Sequence, residues 1–95
     1  MRITQEQARL IREEVRGNLG ADARIWLFGS RVDDTRRGGD LDLYIEIGGR
    51  VALRQKLRCK YRLEEQLDLH VDLVVREPGQ EKPIFALAQK QGVLL

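Results

Sequence analysis

The eight residues from Asp40 to Ile47 alternate without interruption. Leu41, Leu43, Ile45 and Ile47 fall on one side of an extended chain, and Asp40, Asp42, Tyr44 and Glu46 on the other. A period of two over that length predicts a half-buried β-strand with an acidic face. Aspartate is depleted in strands, so two of them on one face need a reason. A similar run follows: Leu69, Val71, Leu73 and Val75 on one side, His70, Asp72 and Val74 on the other. If the two strands are neighbours, Asp72 joins Asp40 and Asp42 with the same parity.

The rest of the chain supplies the frame. Thr4 with Gln7 predicts a capping box, and Ala8, Ile11 and Val15 then follow helical spacing. This helix is expected to end at Gly17 or between Asn18 and Gly20. Ala23 to Phe28 reads as a strand, closed by Gly29-Ser30. Residues 31 to 39 have no periodicity and read as a loop. Val51 to about Leu67 predicts a second helix, with Leu53, Leu57 and Tyr61 at four-residue spacing, as are Leu63 and Leu67. Pro83 suits the first turn of a third helix ending before Gly92, and Val93-Leu94-Leu95 could add a short strand. The order α-β-β-α-β-α predicts an α+β fold, a small mixed sheet with helices mainly on one face. Ninety-five residues are expected to form one domain, 1–95.

Composition excludes several function classes. The single cysteine, Cys59, allows neither an internal disulfide nor a Cys/His metal framework, and reads as a small packing residue. Trp26 reads as core or interface. No apolar run has the length of a signal peptide or a membrane span, so a cytoplasmic location is expected. The formal net charge is only +2, which does not favour direct nucleic-acid binding.

Three carboxylates brought together repel. At an effective dielectric of about 20, one pair ~4 Å apart costs roughly 4 kcal/mol. A divalent cation supplies the counter-charge, and Mg²⁺ commonly binds a few carboxylates plus substrate phosphates. Gly29-Ser30 supplies the other half of such a site. A glycine after a strand allows close backbone approach, turn amides can bind an anion, the Ser30 hydroxyl can donate to a phosphate, and Arg31 can add charge-assisted contacts. The candidate site is therefore Asp40, Asp42 and Asp72 for catalysis and metal, with Gly29, Ser30 and Arg31 for the triphosphate. His70 shares the parity of Asp72 but reads as structural.

Taken singly, Asp-x-Asp and Gly-Ser are weak signals. The ordered set is stronger: Trp26-Leu27-Phe28-Gly29-Ser30-Arg31, then Asp40-Leu41-Asp42-Leu43, then Asp72 in a late strand, with the tail Gly92-Val93-Leu94-Leu95. It resembles the nucleotidyltransferase superfamily with the DNA polymerase β type of palm, and within it the minimal nucleotidyltransferases (MNT, MntA-like). The resemblance implies transfer of a nucleoside monophosphate, AMP from ATP, to a hydroxyl, with two Mg²⁺ ions. It also implies a partner, a HEPN-domain RNase toxin, for which such proteins act as antitoxins that adenylylate a tyrosine. The chain departs from the family in having Gly39 before the first aspartate and Asp33-Asp34 near the phosphate site. Two other readings compete: an antitoxin that works by binding alone, and a nucleotidyltransferase acting on RNA 3′ ends.

Overall fold

The structure, a computed structural model, describes residues 3–29 and 40–95, with Asp40 through its backbone alone. Helix α1 (Gln5–Leu19) starts at a reciprocal capping box: Thr4 Oγ1 accepts from the Gln7 amide (3.0 Å), and Gln7 Oε1 accepts from the Thr4 amide (2.9 Å). It runs through Gly17 and stops at Gly20. Strands β1 (Arg24–Phe28) and β2 (Asp40–Glu46), helix α2 (Leu53–Leu67), strand β3 (His70–Arg76), helix α3 (Pro83–Gln91) and strand β4 (Val93–Leu94) follow. The sheet order is β3-β2-β1-β4. β2 pairs antiparallel with β1 and parallel with β3, and β4 pairs antiparallel with β1. The sheet is therefore mixed.

Connectivity decides which helix covers which face. A parallel β2-α2-β3 unit lays α2 on one face, where α1 joins it. Ile11 and Val15 of α1 and Cys59 and Leu63 of α2 meet Leu27, Leu41, Leu43 and Val71 in the main core. The link from β3 to β4 must pass from one sheet edge to the other, and α3 crosses the opposite face. There Phe85 and Ala88 pack on Trp26 and Tyr44. The helices thus lie mainly, but not wholly, on one side.

Two expectations are corrected here. Tyr44 shares parity with the aspartates, yet its side chain is fully buried, with ring centroids 5.2 Å from Trp26 and 5.7 Å from Phe85. Its hydroxyl donates to Glu46 Oε2 (2.7 Å), and burial, then this bond, push its pKa up to about 12. The polar face of β2 is therefore divided: Asp42 is partly buried on it, and Tyr44 two residues on lies in an aromatic cluster under α3. The second concerns part of the α2 stripe: Leu63 and Leu67 pack on the core as expected, and the Leu53 row does not. Leu53, Leu57 and Tyr61 are exposed, at 70%, 37% and 57%, while Cys59 and Leu63 face the core. The buried stripe runs through Cys59, whose thiol burial raises to a pKa of about 12.

Helices α1 and α2 are tied at Glu14. Its carboxylate accepts from Arg62 Nε (2.8 Å) and Nη2 (3.0 Å), Gln66 Nε2 (2.8 Å) and Asn18 Nδ2 (3.1 Å). The Arg62 hydrogen bond is the largest of the effects that hold the Glu14 carboxyl below its ordinary value of 4.5; partial burial opposes it. Stability from a depressed carboxyl is full above the unfolded value and is lost as pH falls through the folded one. Urea midpoints should accordingly drop below about pH 4.5, and Glu14→Gln should flatten that part of the profile. The same variant should lower the thermal midpoint at pH 7 by about 4 °C. An unchanged acid slope would show that Glu14 contributes nothing to it.

Candidate active site

The parallel pairing of β2 with β3 sets Asp42 opposite Asp72, and Asp40 opposite His70. Adjacent strands lie about 4.8 Å apart, and register partners project from the same face. The sequence could state only the parity; the pairing makes Asp42 and Asp72 neighbours. On the other side of Asp42, the antiparallel register places Phe28. The acidic pair is thus one strand away from the end of β1.

Gly29 follows directly, with φ of +76°, in the left-handed region that side chains rarely adopt. A β-carbon added there would stand 2.3 Å from Asp42 Oδ2 and 2.9 Å from its Cγ. The Asp42 carboxylate therefore lies over the bare Cα of Gly29. A side chain at this position would fill the space the carboxylate occupies. Glycine is needed twice, for its backbone angle and for the absence of Cβ.

Asp42 is partly buried, whereas the Asp72 side chain is 53% exposed. Ser30, Arg31 and the loop through Gly39, including Asp33 and Asp34, lie outside the described residues, as does the Asp40 side chain. Among the described residues, no three His, Cys, Asp or Glu side chains converge as a metal cluster. The donors that do adjoin, Asp42 and Asp72, are hard oxygen ligands, which suit Mg²⁺ rather than a soft or nitrogen-seeking ion.

Sequence reasoning passed over one neighbour of these groups. His70 stands beside Asp72, with Nε2 3.2 Å from Asp72 Oδ1 and Nδ1 3.0 Å from Glu64 Oε2. Glu64 also accepts from Lys60 Nζ (2.8 Å) and from the Val71 amide (2.9 Å). The Lys60 hydrogen bond, more than that from Val71, holds the Glu64 carboxyl below the usual carboxylate range. The shared parity of His70 and Asp72 was the available signal; the contact with a helix residue six positions earlier was not.

Among the described residues, no helix is long and apolar enough to cross a membrane. No curated protein is similar enough to count as a relative. Solved structures share the fold. One is the complex of a tri-AMPylated Shewanella oneidensis HEPN toxin with an MNT antitoxin (TM-score 0.72, 21% identity, 97% of this chain and 71% of that one). A second is a toxin–antitoxin complex with AMP-PNP (TM-score 0.73, 22% identity, 93% and 70%). A third is the toxin–antitoxin MntA-HepT (TM-score 0.70, 20% identity, 96% and 70%). Residues 8–92 match the nucleotidyltransferase domain, and the chain belongs to that family.

Proposed function

We propose that this nucleotidyltransferase moves AMP from ATP to a hydroxyl of a partner protein, a HEPN-domain RNase toxin modified on tyrosine, and so acts as its antitoxin. The observation that carries the reading is the closeness of Asp42 to the Gly29 turn. A metal-binding carboxylate and a phosphate-binding turn must adjoin if a cation on the carboxylate is to meet the phosphate that the turn would hold. The fold neighbours support the choice of acceptor: one is a complex containing a tri-AMPylated HEPN toxin, another contains AMP-PNP.

In this reading Asp40 and Asp42 hold Mg²⁺, and Asp72 completes the carboxylate set. Bound Mg²⁺ neutralises phosphate charge and stabilises the attacking and leaving oxygens of an in-line displacement. The Gly29 and Ser30 amides and the Ser30 hydroxyl would bind the triphosphate, and Arg31 would add charge-assisted contacts. The acceptor oxygen forms a bond to the α-phosphorus, the bond to the pyrophosphate oxygen breaks, and Asp72 takes the hydroxyl proton. The exposure of Asp72 is what this role needs, because the acceptor comes from another molecule.

The test is label transfer from α-labelled ATP to the co-expressed helical partner. Transfer should require Mg²⁺ and stop with EDTA. Label that stays on nucleotide, or that lengthens RNA instead, would overturn the reading. A second reading, neutralisation by binding alone, is favoured by one observation: the exposed row Leu53, Leu57 and Tyr61 on α2, with Val93 and Leu94 exposed at the tail. That reading predicts a stable complex on a sizing column and toxin inhibition without nucleotide.

A further inference from the structure

We infer that His70 is a positioning residue for the third carboxylate, fixing Asp72 so that one oxygen is held by the protein and the other is left for the cation. The inference rests on the site assignment above. Asp72 is more than half exposed on the edge strand β3. An exposed aspartate samples several rotamers, and a carboxylate that must ligate a metal or receive a proton works best in one. His70 lies two residues earlier on the same face, and its Nε2 reaches Asp72 Oδ1 at 3.2 Å.

The imidazole is itself anchored. Its Nδ1 lies 3.0 Å from Glu64 Oε2. Glu64 is fixed to the β3 backbone through the Val71 amide and to Lys60, whose Nζ also donates to the Val71 carbonyl (2.7 Å). A network of polar contacts therefore runs from α2 through the ring to Asp72 Oδ1, and Oδ2 stands outside that network. The backbone register partner of His70 is Asp40, on the neighbouring strand β2, while β3 itself is an edge strand. Partners that orient ligands in this way commonly carry a 10- to 100-fold effect when removed.

Side-chain geometry separates this role from a merely structural one. The amide nitrogen of glutamine can take the place of imidazole Nε2, and that of asparagine the place of Nδ1. His70→Ala should lose about 10- to 100-fold in kcat or in divalent-ion affinity. His70→Gln should recover most of that loss and His70→Asn little. Two readouts are needed: AMP transfer at saturating ATP, and Mn²⁺ titration by water-proton relaxation with a non-hydrolysable ATP analogue. Thermal midpoints report folding. Full activity and unaltered Mn²⁺ binding in His70→Ala would overturn the inference. So would rescue by Asn equal to that by Gln, which would make the ring only a tie between β3 and Glu64. If the wild-type protein transfers no AMP but Mn²⁺ affinity still follows the order Gln above Ala, the positioning role stands and the proposed reaction fails.

Discussion

Asp42→Asn should reduce AMP transfer by at least ~10³-fold, about 4 kcal/mol of transition-state stabilisation, while leaving the fold intact. The substitution keeps shape and removes charge. A neutral amide offers a metal one weak oxygen where the carboxylate offers two charged ones. Asp42 sits between the two halves of the site, opposite Asp72 on one side and over Gly29 on the other. It links the carboxylate pair to the glycine turn, so its loss falls on both halves. The thermal midpoint should move by no more than about 3 °C, as for a partly exposed position outside the core. The variant also separates the two readings of antitoxin action. If it still neutralises the toxin and forms a stable complex, binding is sufficient. Should it transfer label as well as the wild type, the assignment of Asp42 is wrong.

The sequence carried the element order, because the signals are local. The capping box at Thr4, the alternation from Asp40 and the proline at position 83 each speak for their own segment, and each element formed where expected within two or three residues. What failed was long-range. Tyr44 shares the parity of Asp42, and nothing near it in sequence says that α3 will cover it. That depends on β4 pairing with β1, forty residues or more away, which draws α3 across the face. The α2 stripe was half legible. Both rows, Leu53, Leu57 and Tyr61 as well as Leu63 and Leu67, satisfy a four-residue spacing, and only the row of Leu63 and Leu67 packs on the core, together with Cys59. Lys56 and Lys60 explain the outcome: their ammonium groups reach Glu77 (3.7 Å) and Glu64 (2.8 Å), so their stems could lie at the margin of the packed side. Of the site, the parity of the three aspartates was legible, but the adjacency of Asp42 and Asp72 required the parallel pairing of β2 with β3.

Gly29→Ala should be the most damaging change available outside the carboxylates, and its effect should pass through Asp42. Two costs arise at once. A φ of +76° suits glycine, and an L side chain in the left-handed region costs roughly 1–2 kcal/mol. This should lower the thermal midpoint by about 5–10 °C. The new methyl group would also stand 2.3 Å from Asp42 Oδ2. The carboxylate is the far end of a short flexible side chain, so it can swing aside and the fold can survive. The site does not survive so well, because displacing a catalytic group by ~1 Å can cost about 10²-fold in rate. Activity at saturating ATP, below the melting range, should fall by that order. The double variant Gly29→Ala, Asp42→Asn provides the check. Coupled residues give non-additive losses, so its activity should equal that of Asp42→Asn alone. A product of the two separate losses would mean that the methyl group damages the triphosphate-binding turn itself rather than acting through Asp42, and full activity in Gly29→Ala would remove the glycine turn from the site.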